Sequence, residues 1–541
     1  MLKLFFTGII LLFQISLFPQ EILEITSPDQ NIIFNFKISK DIPEYEVFYK
    51  GSKLINYSSL SLSFLKESIL GKKFTAGKPV YKDGEDNYSL VVGKTKNVHD
   101  YYKEVTIPLI ENGNLKRLIN LVVRIFNDGL AFRYEFPQQK NWASYILTDE
   151  NSTFNLNGDP TFITMFLPNF TTSHEERYFT LNFSSIKNDT LMDMPTLIKF
   201  PQNIFMAITE AALVDYAGMY LIKKNDVLQS QLSPLPGQDE IKVKAVLPHK
   251  TPWRVLLISD KVGDLIESNI ITSLNEPCKI KDVSWLKPGK SDFHWWNGDV
   301  SPDTTFAPGI NFDFAKYYID FCSENNIEYH SVIGYGGTAW YVNDGDSYDA
   351  GPNADVTKPL PSLNMQEVCD YAKEKNVGIR VWVHWKALYP KLEEAFTQFE
   401  KWGIKGMMVD FMDRDDQEMV NIQIRILQEA AKHHLHIQFH GAYKPTGLSR
   451  TYPNEFTREG TLNYEQNKWN NIITADDDIN IPFTRGLAGA TDYHLGGFRA
   501  VPISKYKPQY TRPLVVGTRC HMLAMYVILE GYLQMVCDYP E

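Results

Sequence analysis

Cysteine is scarce. Five cysteines in 541 residues (Cys278, Cys322, Cys369, Cys520, Cys537) are scattered, with no CxxC pair. That excludes a disulfide framework and sulfur-based metal or redox chemistry, and the thiols read mostly as small buried hydrophobes. Positive charge is also short, with 54 Lys and Arg against 65 Asp and Glu and a net charge of -11. Such a chain lacks the basic surface that phosphate backbones and anionic membranes require, so neither is an expected partner. Long apolar runs are missing beyond residue 18. Lys3 followed by Leu4 to Phe18 reads as a secretory signal, too short and too early for a membrane span. Residues 1–20 are therefore expected to be cleaved, the mature chain to carry no membrane span, and the protein to be secreted or periplasmic. No cysteine follows the run, which argues against a lipoprotein anchor. The Asp476–Asp478 run has no EF-hand spacing and reads as a solvated loop.

Aromatic residues are plentiful: 13% of the chain, with 10 Trp and 29 Tyr. They fit either a large β-rich core or a cleft where the flat apolar faces of sugars stack on rings. At 541 residues the chain exceeds what one core can organise. From residue 21 to about 270, short alternating runs such as Asn31-Ile-Ile-Phe-Asn-Phe-Lys-Ile are punctuated by Gly, Asn, Asp and Pro, which predicts a β-sandwich. Residues 271–290 carry linker punctuation in Asn275-Glu-Pro and Lys287-Pro-Gly.

From 291 to 541, apolar strands alternate with helical patterns, which predicts a TIM-type (β/α)8 barrel. The expected strands are Phe293–Asn297, Tyr329–Gly334, Val377–His384, Met407–Phe411, Leu435–His440, Glu459–Glu465, Gly489–Tyr493 and Leu533–Cys537, with a helix over Val515–Leu529. No helix is readable after the eighth strand. The barrel is accordingly expected to be cut there.

The stretch Ile404-Lys-Gly-Met-Met-Val-Asp410 ends an apolar strand in a carboxylate, the position from which such barrels present catalytic groups. On this register Glu459 and Glu465 lie on or beside the sixth strand, and His440 ends the fifth. Two carboxylates facing one bond are what glycoside hydrolysis needs, one as nucleophile or base and one as acid. Position alone leaves Asp410 open between catalysis and structure, and His440 reads better as a satisfied core histidine. Asp413, Asp415 and Asp416 read as caps and support for the next helix.

Several strings together resemble glycoside hydrolase family 97: Thr251-Pro-Trp-Arg-Val, Gly263-Asp-Leu-Ile-Glu-Ser-Asn, Leu274-Asn-Glu-Pro, Trp295-Trp-Asn-Gly, Val409-Asp-Phe-Met-Asp-Arg-Asp-Asp-Gln, Pro482-Phe-Thr-Arg and Leu487-Ala-Gly-Ala-Thr-Asp-Tyr. The resemblance runs from the sandwich to the chain end, and implies that the family's C-terminal β-domain is missing. Inverting members of that family carry a Glu directly after the histidine of the fifth strand, whereas here His440 is followed by Gly441. Retaining members carry an Asp where Asp410 stands. The resemblance thus implies Asp410 as nucleophile and Glu465 as acid/base, in an exo-acting retaining α-galactosidase. It further implies Ca²⁺ held by Glu210, Glu459 and Glu465, the oxygen donors calcium prefers. Trp295, Lys386, His440 and Asp492 are expected sugar contacts, as are Trp340, His384 and Trp385, though burial in the core explains each equally. Other readings are a β-L-arabinopyranosidase or α-glucosidase of the same family and, from a different class, a carbohydrate-binding protein without catalysis.

Overall fold

The computed structural model describes residues 22–540 apart from 67–69, 71–72 and 114. The expected signal segment lies outside the described residues. The N-terminal half is sheet-rich and antiparallel. Its central strand Trp253–Ser259 pairs with Phe205–Ala211 on one side and Gly129–Phe136 on the other. All seven residues of that strand are buried. Val255, Leu256, Leu257 and Ile258 are at most 1% exposed, each worth about 1.5–3 kcal/mol of apolar burial.

The C-terminal half is a parallel barrel. Seven strands pair in the order Glu455–Arg458, His436–Phe439, Gly406–Asp410, Gly378–His384, Tyr329–Val332, Gly289–Asp292, Leu533–Val536. The last strand pairs with the first, Gly289 opposite Leu533. Between the sixth strand and the last, closure rests on one parallel bridge from Arg458 to Thr491 and on Thr491 N donating to Glu530 O at 3.0 Å. The barrel is thus nearly closed.

Helices alternate with the strands, and their starts follow the capping rules. Asn311 Oδ1 accepts from Phe314 N (2.9 Å) and Asn364 Oδ1 from Glu367 N (3.3 Å). Asp416 Oδ1 accepts from Glu418 N and Met419 N (3.1 and 3.2 Å), as expected of a cap. Gly403, at φ +91°, ends Leu392–Trp402 in the left-handed conformation that glycine takes without a Cβ clash.

Five sequence expectations fail here. The Asp476–Asp478 run is no solvated loop: it lies in a short helix, Ala475–Asn480, with Asp477 and Asp478 buried and Asp478 accepting from Tyr464 and Tyr493. Phe293–Asn297 is not the first strand: Gly289–Asp292 is, and His294–Asn297 turns into a short helix. The true strand is hard to read because it is polar on both faces, Ser291 turning into the barrel and Asp292 toward the helix Phe312–Glu324. Ser291 meets Ser331 (2.8 Å), Asp292 meets His330 (2.7 Å), and Arg380 reaches Ser331 and Gln438 (3.0 and 2.5 Å). The sixth strand is Glu455–Arg458, so Glu459 sits just past its end and Glu465 on a 3₁₀ turn, Tyr464–Lys468. Gly489–Tyr493 contributes a single bridge rather than a strand. The last helix is shorter than expected, Arg519–Ile528. Of the five cysteines, Cys322, Cys369 and Cys537 are buried, while Cys278 and Cys520 are exposed.

The two halves are joined behind the barrel mouth. In the loop after the fifth strand, Lys444 Nζ donates to Glu210 Oε1 (2.7 Å), and Thr446 O accepts from Ala212 N (2.9 Å). Asp415 O accepts from Gly218 N at 2.8 Å.

Candidate active site

A cavity of about 360 Å³ opens at the C-terminal ends of the barrel strands. Asp410, Glu465, His440, Asp413 and Glu175 bring polar groups to it, while Phe293, Trp295, Tyr348, Trp382, Phe411 and Trp469 supply rings. Trp295 and Trp469 meet edge to face with centroids 6.2 Å apart. Lys468 fixes that wall from behind, donating to Trp295 O and Trp296 O (2.7 and 2.9 Å).

Asp410 is buried at the strand end and held at both oxygens. Trp382 Nε1 donates to Oδ2 (2.8 Å), while Phe411 N (2.6 Å) and His440 Nδ1 (3.2 Å) reach Oδ1. Burial alone would raise its pKa, but the His440 charge and these donors outweigh burial and hold the carboxyl below its ordinary value. His440 also lies 3.0 Å from Glu459 Oε2. Its burial disfavours charge, yet Asp410 and the neighbouring carboxylates push its pKa up to about 10, so it is an imidazolium. Glu465 is shifted the other way: burial, then the negative charge of Glu175, pushes it well above the usual range. The pocket therefore holds one carboxyl as an anion and another as an acid, the division of labour acid–base catalysis by two carboxyls requires.

Glu175, Glu459 and Glu465 each offer an oxygen within 4.8 Å of the others. Glu175 is delivered from the N-terminal domain by a loop anchored through its neighbour His174. His174 is fully buried, adopts φ +63°, and its Nδ1 lies 2.8 Å from Asp193 Oδ2. Glu459 is fixed by Gly441 N at Oε2 (2.7 Å) and Asn463 Nδ2 at Oε1 (2.6 Å). Three converging carboxylates form an all-oxygen donor set, which suits a hard divalent cation such as calcium.

Among the residues expected from sequence, the structure brings Asp410, Glu465, Glu459, His440 and Trp295 together. Glu210 does not join them. Its carboxylate is fully buried and neutralised, with Arg254 Nη1 at 2.7 Å from Oε2 and Lys444 Nζ at 2.7 Å from Oε1, so it is a structural ion-pair member and not a metal ligand. Lys386 is exposed and does not line the cavity. Asp492 stands behind the wall, accepting from Gln438 Nε2 and lying 3.3 Å from His494 Nε2. Trp340 is a core residue donating to Trp382 O (2.8 Å). His384 is buried and stacks under the Phe411 ring, centroids 5.1 Å apart. Trp385 does not line the cavity. Asp415 is no cap: it is fully buried, and burial pushes its carboxyl up to about 6. Glu175 was missed because nothing in Ser173-His174-Glu175-Glu176 marks which of its two acids turns inward.

A barrel mouth that brings two carboxyl groups of oppositely shifted proton affinity into one ring-lined pocket suits a glycoside hydrolase. Comparison with known proteins agrees along most of the chain. Residues 25–277 match the model described as Glycosyl-hydrolase 97 N-terminal, and residues 295–461 match Glycoside hydrolase 97. The chain belongs to glycoside hydrolase family 97. It is 30% identical over 570 aligned positions to a retaining alpha-galactosidase of Bacteroides thetaiotaomicron, covering 100% of this chain and 83% of the relative. A family 97 enzyme from Pseudoalteromonas sp. strain K8, solved with acarbose, superposes with a TM-score of 0.86 at 29% identity, over 96% of this chain and 81% of that one. A beta-arabinopyranosidase shares the fold at a TM-score of 0.80 and 21% identity, over 96% of this chain and 82% of that one.

Proposed function

We propose that the protein is an exo-acting retaining α-galactosidase working by double displacement. The observation that carries this reading is that Asp410 and Glu465 line one ring-walled cavity at the barrel mouth, with His440 holding the first carboxyl down and burial pushing the second up. Asp410 attacks the anomeric carbon of the terminal sugar while Glu465 gives its proton to the leaving glycosidic oxygen. The resulting glycosyl-aspartate is then hydrolysed by a water from which Glu465 takes a proton. His440 keeps Asp410 ionised, and Trp382 and Phe411 N orient its two oxygens. The aromatic walls exclude water and stack against the sugar. The choice of galactose is supported by the Bacteroides relative and by the glycine that follows His440.

Calcium fits the oxygens of Glu175, Glu459 and Glu465, and when bound there it would offset the charge of Glu175 and Glu459 and position Glu465. We further propose that residues 1–20 direct secretion or export to a periplasm. Among the described residues no helix is long and apolar enough to cross a membrane.

The test is hydrolysis of p-nitrophenyl α-galactoside followed by NMR. Release of α-galactose as the first anomer is expected. First-formed β-galactose would overturn retention, and faster turnover of α-glucosides or β-L-arabinopyranosides would overturn the choice of sugar.

A further inference from the structure

Most polar groups lining the cavity have hydrogen-bond partners among the described residues; the carboxyls of Glu465, the acid of the proposed reaction, and Asp413 are those to which none donates. Asp410 receives three donors, and His440 pairs with two carboxylates. Glu175 accepts from Ser173 Oγ at 3.1 Å and faces Glu459 and Glu465. Asp413 differs. Its carboxylate lines the cavity, half-buried, yet no described residue donates a hydrogen bond to it.

The backbone is arranged to deliver this group. Phe411 and Asp413 adopt φ +62° and +45°, a left-handed region that a ring-bearing residue rarely enters. Asp413 N donates to Gly441 O at 2.5 Å. Gly441, at φ +49°, faces the same turn, and a Cβ built on it would stand 2.8 Å from Asp413 Oδ1 and 3.3 Å from Phe411 N and Cα. Glycine at 441 thus clears the space the Asp413 carboxylate fills. Burial, and then the charges of Asp410 and Glu175, push the Asp413 carboxyl up to about 6, which hydrogen-bond donors from a ligand would relieve.

An uncharged sugar brings only hydroxyl donors into such a pocket. We propose that Asp413 accepts a hydrogen bond from a ring hydroxyl of the terminal sugar and is thereby a specificity-determining residue of the reaction. This rests on the cavity being the glycosidase site. It assigns Asp413 to recognition, whereas position in the sequence suggested support for the following helix.

The experiment pairs wild type and Asp413→Ala with a parent p-nitrophenyl glycoside and its monodeoxy analogues, one hydroxyl removed at a time. Asp413→Ala is expected to lower kcat/KM on the parent about 10- to 100-fold, the usual worth of a hydrogen bond to a charged group. For one analogue, wild type and variant should then agree within about threefold, because the partner hydroxyl is already gone. Asp413→Asn, which keeps the shape and one acceptor, should lie between them, with an unchanged melting temperature. Equal penalties across all analogues, or no penalty on the parent, would overturn the proposal. If the wild type prefers α-glucosides, the choice of galactose fails, and the same series built on glucose still reads Asp413.

Discussion

Lys444→Met should be the most destabilising single change outside the hydrophobic cores. Lys444, Glu210, Arg254 and Glu150 form a chain of four ionised groups, each at most 1% exposed. Arg254 grips Glu150 through Nε and Nη2 (2.9 and 2.7 Å) and Glu210 through Nη1 (2.7 Å), and Lys444 closes the chain at 2.7 Å. Two positive and two negative charges cancel. Burial disfavours the charged form of both cations, but Glu150 and Glu210 beside Arg254, and Glu210, Asp193 and Asp415 around Lys444, outweigh it and raise their proton affinity. Removing Lys444 leaves a net buried negative charge, and breaking such a network costs about 3–5 kcal/mol. At about 2–4 °C per kcal/mol for a domain of this size, the melting temperature should fall by about 6–20 °C, read by calorimetry on the whole chain. Glu210→Gln added to Lys444→Met removes the orphaned charge and should recover more than half of the loss. A Lys444→Met protein that melts within about 1 °C of wild type, or a double variant no better than the single one, would refute the reasoning.

Further outcomes follow from the site. His440→Gln removes the cation beside Asp410, so the acid limb of kcat/KM should move up by about one pH unit or more, read from initial rates between pH 3 and 7. On the stability side the two partners act oppositely. The His440 contribution is complete below about pH 6.5 and is lost as pH rises through about 10. The Asp410 contribution exists above about pH 3.9 and disappears as pH falls through its lowered folded value. Glu175→Gln should weaken calcium binding at least about tenfold in a calorimetric titration, whereas Glu210→Gln should lower the melting temperature and leave calcium affinity unchanged. Asp416→Ala should cost about 0.5–2 kcal/mol through the lost cap, measured by thermal melting, with kcat within about twofold of wild type.

The sequence was legible where local periodicity and burial agree. The helical patterns over 312–325, 364–375, 391–401 and 418–434 fold as Phe312–Glu324, Met365–Glu374, Leu392–Trp402 and Gln417–Lys432, within one or two residues at each end. Asp410 was readable because three apolar residues lead straight into it. Gly289–Asp292 was not, because its polar side chains find partners on both faces, Ser331 inside the barrel and His330 on the helix side, and no hydrophobic pattern betrays that. Glu210 was implied as a calcium ligand by the family resemblance alone, and one dimension does not show that Arg254 and Lys444, 44 and 234 residues away, neutralise it. Glu175 needed the tertiary fold, since only the docking of the N-terminal domain carries its loop into the barrel mouth. Asp413 was read as helix support because its left-handed backbone, and the space that Gly441 leaves for its carboxylate, have no signature in one dimension.

The central claim is that Asp410 forms a covalent bond to the sugar. Incubation with 5-fluoro-α-galactosyl fluoride, digestion and mass spectrometry test it directly. A fluorogalactosyl adduct on the peptide containing Asp410, absent from the Asp410→Ala protein, is the result expected. Steady turnover with no adduct, or an adduct on any other residue, would contradict it.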